Sequence, residues 1–311
     1  MAGQSMRDIK RRISSIKNTQ QITKALEMVS AAKLRRTQNR VVASRPFADK
    51  LREVLVRLVA SARAGEKGGS LSHPLLEARE VKRVLYVVVS ADRGLAGAYN
   101  SNILRRLRAV LDEEEREWDV VAIGRKVRDF LRKREIEPVA EYTQLGDDVD
   151  WTTARQIAGY LMEAFTSGGY DAVYLLYTEF ISAISQRPRL EQVLPIVDPG
   201  AARRSALDRR GARQPEAEAG QAAAEYLYEP SADSVLKILL PRYVETEVYR
   251  ALMEAKASEH GARMTAMRNA SDNAGELIEA LTLSFNRARQ ASITKEISEI
   301  VGGAEALAAA D

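Results

Sequence analysis

The sequence predicts a mixed fold: a central α/β domain between two long α-helices, one from each end of the chain, that pair as an antiparallel coiled coil. Three observations predict it. Apolar residues recur at helical spacing from Ser5 to Ala62. The middle of the chain alternates β-branched runs with helical stretches. From Met267 onward, small and apolar residues return at the three-four spacing of a heptad seam.

The first segment, residues 1–62, reads as helix almost throughout. Ile9, Ile13 and Ile16 mark one face, Ile22, Leu26 and Val29 are expected to continue it, and Leu51, Val54, Leu55 and Leu58 close it. Pro46 removes one ladder hydrogen bond, so a kink or brief interruption is expected there. The loop GEKGGSLSHP, Gly65 to Pro74, ends the segment.

The central domain is expected over residues 75–200. Val84–Ser90, Trp118–Gly124 and Ala172–Phe180 read as strands, the first a β-branched run buried on both faces. Tyr99–Glu117, Lys126–Arg134 and Thr152–Ser167 read as the helices between them. That alternation predicts a mostly parallel sheet with helical cover, a Rossmann-like arrangement.

Residues 201–230 form an insertion and connection, since Ala201–Ala224 lacks any periodic apolar pattern. The last segment, residues 231–311, is expected to begin with Asp233 as its N-cap, bend at Pro241 and stop at Gly302-Gly303. Its seam is Met267, Ala270, Ala274, Leu277, Leu281, Ser284, Ala288 and Ala291. At about 1.5 Å per residue, each terminal helix is too long to bury itself on a domain of this size. Pairing with each other, and projecting from the domain, covers both stripes.

Composition excludes several chemistries. There is no cysteine, so disulfides, thiolate zinc sites and cysteine nucleophiles are absent. His73 and His260 are the only histidines and read as ordinary structural residues. Met1–Arg12 is polar and basic, without the apolar core of a secretory signal. The longest apolar run, VLYVVV, is far short of the roughly 20 residues a spanning helix needs. Charge is unevenly placed: residues 1–60 hold 14 Lys/Arg against 4 Asp/Glu, whereas residues 232–311 hold 9 against 12. The basic first segment implies an acidic partner.

The chemical motifs are sparse. SADRGLAGAYN, Ser90–Asn100, follows the first strand, but Gly94 and Gly97 do not make a G-x-G-x-x-G and no acidic residue closes the second strand. No G-x-x-x-x-G-K-[ST] occurs. The motif therefore reads as a tight strand-to-helix turn with Asp92 as a local cap, and DEEERE, Asp112–Glu117, as a solvated helix end. Near the end of the chain, Arg287, Arg289, Gln290, Thr294, Lys295 and Glu296 offer polar groups toward something outside the coiled coil.

MRDIKRRISSIKNTQQITKALEMVSAAKLRR (Met6–Arg36), VVSADRGLAGAYN (Val88–Asn100), EYLYEP (Glu225–Pro230), and MTAMRNASDNA with LTLSFNRARQASITKEISEIVGGAEAL between Met264 and Leu307 resemble the gamma subunit of bacterial F-type ATP synthase. The resemblance covers nearly the whole chain and weakens only over 201–224. It implies a central rotor subunit that couples rotation of the membrane c-ring to conformational change at catalytic sites on the beta subunits. Such a subunit belongs to an enzyme but carries no catalytic residues, metal or cofactor of its own. Its implied partners are a hexamer of alpha and beta subunits, epsilon and the c-ring, with one copy per complex and no nucleic acid. The implied location is peripheral, at the cytoplasmic face of the bacterial cell membrane. Arg289 and Gln290 match the family's pair that grips a beta-subunit loop. Lys33, Arg35 and Arg36 would meet acidic beta loops, beside Leu26, which stands where relatives often carry methionine. Tyr226 and Tyr228 are the expected contacts to epsilon or the c-ring. Two rivals remain at this point: a nucleotide-binding α/β enzyme, and a basic coiled-coil adaptor for nucleic acid.

Overall fold

A computed structural model describes residues 6–63, 73–146, 149–196 and 231–308. The expected insertion, with Tyr226 and Tyr228, lies outside them. In chain order the elements are α1 (Met6–Arg63), β1 (Arg83–Val89), α2 (Tyr99–Asp112), β2 (Glu117–Ile123), α3 (Arg125–Arg132), β3 (Ala140–Tyr142), α4 (Trp151–Thr166), β4 (Ala172–Ser182), β5 (Ser185–Leu194) and α5 (Ala232–Ala308). The chain divides into two compact units, at Val29/Ser30 and at Arg263/Met264.

The smaller unit is built from the first part of α1 and the last part of α5. Gln20 Nε2 donates to the Ser271 carbonyl at 3.3 Å, and Arg268 Nε meets Glu27 Oε1 at 2.9 Å. As numbers rise along one helix they fall along the other, so the pair is antiparallel.

The inward stripe of α1 keeps its phase better than its chemistry. Buried and half-buried positions run Ile9, Ile13, Ile16, Gln20, Thr23, Glu27, Ser30, Leu34, Thr37, Val41, alternating steps of four and three. Ile22 and Val29, expected in the stripe, are 61% and 48% exposed, and Leu26 is half-buried beside it. On a heptad lattice, position outranks residue type, so polar side chains occupy the seam where the phase puts them. Thr23 and Thr37 satisfy their hydroxyls on the Gln20 and Lys33 carbonyls of the same helix. In α5 the heptad set Met267, Ala274, Leu281, Ala288 faces inward as expected. The alternate set is one residue later than expected: Ser271, Ile278, Phe285 and Ser292 turn in, while Leu277, Ser284 and Ala291 are exposed.

Three boundary expectations are corrected. Pro46 lies within α1 without interrupting it, on the exposed side, where water reaches the carbonyl it leaves unbonded. Helix α5 continues past Gly302-Gly303 to Ala308, since glycine costs only about 1 kcal/mol in a helix and the following residues are mostly alanine. Its cap is Ser231, whose Oγ accepts from the Ser234 amide at 3.2 Å, and Asp233 pairs with Lys237 instead.

The larger unit contains a five-stranded sheet of order β3-β2-β1-β4-β5, parallel except for β5. Moving from β1 through β2 to β3, α2 and α3 lie on one face; the return to β4 puts α4 on the other, as right-handed crossovers require. Val84, Tyr86, Val88, Val120, Ala122 and Leu176 pack on Ile103 and Leu107 of α2 and on Val127 and Leu131 of α3. Ile157, Leu161 and Phe165 of α4 are fully buried. The short β3 and the charged, proline-containing β5 carry no apolar run, and neither was among the expected strands.

Candidate functional site

The carboxyl ends of β1 and β4 are where an open α/β sheet of this order offers its ligand crevice. Here the protein's own groups crowd the end of β1 from both sides, α3 beside β2 and α5 beside β4. The first three amides of α3 are all bonded: Arg125 to Asp92 Oδ1 at 3.0 Å, Lys126 to the Ala91 carbonyl at 3.1 Å, and Val127 to Ser90 Oγ at 2.9 Å. These are the donors a phosphate would take at a helix start. Gly124 permits the turn, with φ +94° and a position where a Cβ would come 2.3 Å from the Ser90 carbonyl oxygen. Asp92 thus caps locally, as expected, though the helix it caps is α3.

Helix α5 closes the same place from above. Ser258 Oγ donates to the Thr178 carbonyl at 3.0 Å, and Arg263 Nη2 donates to the Gly94 carbonyl at 3.3 Å. Ala262 packs on Ala91, Ala96 and Tyr99. Gly261 lets the helix pass Ala183 closely, since an added Cβ would lie 3.2 Å from that carbonyl oxygen. Burial works against the Glu259 carboxylate, but Lys256 at 3.2 Å and Arg263 at 2.7 Å outweigh it and hold its pKa below the usual range.

The chemistry of the chain therefore lies on its helix surfaces. In the smaller unit, Glu27 is clamped by Lys24 and Arg268, each at 2.9 Å, and those hydrogen bonds lower its pKa. Of the expected contact residues, Leu26 is half-buried at the seam's edge, while Arg289 and Gln290 are exposed. In the larger unit, Arg35 and Arg36 are exposed and Lys33 is half-buried, beside the buried Leu34 and Thr37. Each set thus falls on or beside the flank that the seam leaves outside.

A further surface went unread in the sequence. Every residue from Ile293 to Gly302 is exposed, including Ile293 at 47%, Ile297 at 56%, Ile300 at 72% and Val301 at 51%. Their spacing of four, three and one residues is an apolar helix stripe, the signal that would have found it. Ile22, Met28, Val29, Leu277 and Leu283 are also about half exposed or more. Isolated exposed leucines need no explanation, but apolar residues concentrated along an uncovered helix mark a surface made to meet another protein.

Among the described residues there is no cluster of metal-ligating side chains, and no helix is long and apolar enough to cross a membrane. A family model described as ATP synthase matches residues 5–307. The chain is 52% identical over 303 residues to the ATP synthase gamma chain of Heliobacterium modesticaldum, covering 97% of this chain and 99% of that one. It is 51% identical over 302 residues to the gamma chain of Moorella thermoacetica, with the same coverage of 97% and 99%. Among solved structures, it resembles the central stalk and c-ring structure of Tetrahymena thermophila mitochondrial ATP synthase, with a TM-score of 0.56, 27% identity, and coverage of 80% of this chain and 99% of the other. A Euglena gracilis mitochondrial ATP synthase structure shares the fold at a TM-score of 0.62 and 21% identity, over 97% and 94% of the two chains.

Proposed function

We propose that this chain, which belongs to the ATP synthase gamma chain family, is the central-stalk rotor of a proton-translocating F-type ATP synthase, coupling c-ring rotation to the beta-subunit catalytic sites. The observation that carries this reading is the uncovered stretch of α5 from Ile293 to Gly302, whose apolar stripe needs a surrounding protein. A sleeve of alpha and beta subunits supplies one. The chain itself contributes no reacting group; nucleotide chemistry belongs to its partners, and the filled crevice above β1 and β4 fits that division.

The mechanism is differential contact. An asymmetric axle inside a threefold ring touches each site differently, so each orientation favours a different set of site states. Moving one site from 1:99 to 99:1 takes about 5.5 kcal/mol of differential affinity. Charge-assisted hydrogen bonds contribute roughly 1.5–3 kcal/mol each, so a few arginine contacts per orientation suffice. We assign Arg289 and Gln290 to this task, with Lys33, Arg35 and Arg36 meeting acidic loops of the beta subunits and Leu26 the apolar contact beside them. Tyr226 and Tyr228 are proposed to face epsilon or the c-ring. In this reading the chain is one copy per complex, peripheral, on the cytoplasmic face of the cell membrane.

Affinity purification of the tagged chain from membranes tests the proposal. Co-recovery of alpha and beta subunits with ATPase activity is the expected result. Recovery of the chain alone, carrying bound nucleotide, would replace this reading with that of a nucleotide-binding enzyme.

A further inference from the structure

Within the larger unit, one guanidinium joins three layers. Arg250 of α5 has a side chain only 11% exposed, and its Nη2 meets Glu191 of β5 at 3.0 Å and Glu247 at 2.6 Å. Its Nη1 donates to Glu254 at 3.0 Å and to the Tyr177 hydroxyl of β4 at 3.2 Å. Tyr177 in turn donates to Glu191 at 2.9 Å, and Arg189 pairs with both Glu191 and Glu179. From the other side, Arg52 of α1 reaches Glu247 at 3.4 Å. Glu254 is fully buried.

Such a network is a poor way to gain stability, because apolar side chains of similar volume often serve as well or better once desolvation is counted. What it supplies is direction. Interdigitated apolar packing already resists displacement, and hydrogen bonds between charged, fixed groups add a resistance that depends on direction. The bonds here run from one side chain of α5 to two strands, and through Glu247 to α1.

We propose that Arg250 is a torque-bearing positioning residue: with Glu191, Tyr177, Glu247 and Arg52, it locks the paired helices of the larger unit to the α/β domain so that twist applied to one reaches the other. This inference rests on the rotor reading, and the test separates the two.

The chain contains no cysteine, so Arg106→Cys on the exposed side of α2 gives it a single attachment point once any cysteines of the alpha and beta subunits are replaced. The complex of this chain with its alpha and beta partners is fixed to a surface, and a bead is attached at that cysteine. Rotation of the bead on ATP is the control; its absence would refute the rotor reading and, with no load left for the network to carry, this inference with it. Given rotation, the angular spread of the bead during a catalytic pause reports torsional stiffness. Glu191→Gln, which cuts the strand-to-helix ion pair while leaving Glu247 and Glu254 around Arg250, is expected to widen the variance about twofold, and Arg250→Met more. Arg250→Lys, a single point charge, is expected to fall between Met and the parent. Spread equal to the parent in both Glu191→Gln and Arg250→Met overturns the proposal. If Arg250→Met does not assemble, Glu191→Gln decides alone, and failure of that milder variant to assemble would assign the network to folding rather than to torque.

Discussion

Arg289 illustrates what a single exposed side chain on a helix flank can do. It has no role in the seam, so removing it leaves the helix pair intact, and its contribution is expected only against a partner. Arg289→Ala should lower coupled ATPase turnover of the assembled complex roughly tenfold, the equivalent of one charge-assisted bond, with alpha and beta subunits still recovered in normal amounts. Unchanged turnover would remove Arg289 from the proposed grip. Glu27 makes the opposite case, a charge whose partners are all within the chain. Its carboxyl is held low by hydrogen bonds from Lys24 and Arg268, and those of Glu191 and Glu259 are held low by arginines and lysines despite burial. A folded pKa below the unfolded value means stability that is present above about pH 4.3 and lost as pH falls through the lowered value. Thermal melting of the isolated chain should therefore drop on acidification from about pH 5 toward pH 3. Glu27→Gln should melt lower than the parent at pH 7 and converge with it in acid. Parallel curves across that range would count against these pairs as pH-linked.

At the scale of elements, periodicity was legible and phase only in part. Both terminal helices, the three expected strands and their helices stand near where the pattern of apolar residues puts them, because burial on one face or two leaves a strong imprint, though α2 ends at Asp112 rather than Glu117. The errors came from following residue type. Ile22 and Val29 are apolar and point out; Gln20, Thr23 and Glu27 are polar and point in. Leu277 drew the α5 seam one residue early for the same reason, although Ser271 and Ser292 hold the true positions. β5 was invisible since its inward charges, Arg189 and Glu191, look like loop residues until Arg250 is placed beside them. The outward apolar stripe of α5 has a consequence at this scale. Ile293→Ser with Ile297→Ser removes exposed apolar surface and touches no seam position, so the isolated chain should melt within about 1 kcal/mol of the parent. Its recovery with alpha and beta subunits should fall severalfold. A loss of stability without loss of recovery would show the stripe covered within the chain itself.

For the whole molecule, the question is why a sheet with the strand order of a dinucleotide-binding domain sits in a chain assigned no nucleotide chemistry. Two features answer it together. The amides at the start of α3, beside the end of β1, are bonded to Asp92, Ala91 and Ser90 and leave no free donors for an anion there. The crevice between β1 and β4 holds Ser258, Ala262 and Arg263 of α5. A nucleotide could enter only by displacing a helix whose residues there are nearly all buried, breaking the Ser258 and Arg263 bonds and exposing apolar surface at about 25 cal/mol per Å². The domain is then a scaffold that grips α5, with its usual ligand site converted into a helix seat. Binding would reveal itself by mass action, raising stability by about 2.7 kcal/mol at one hundred times the dissociation constant. Melting the isolated chain in millimolar ATP, ADP or NAD should accordingly give the same midpoint as in buffer of matched ionic strength. A rise of several degrees with any of them would mean that the helix yields its seat, and that the domain still does what its strand order suggests.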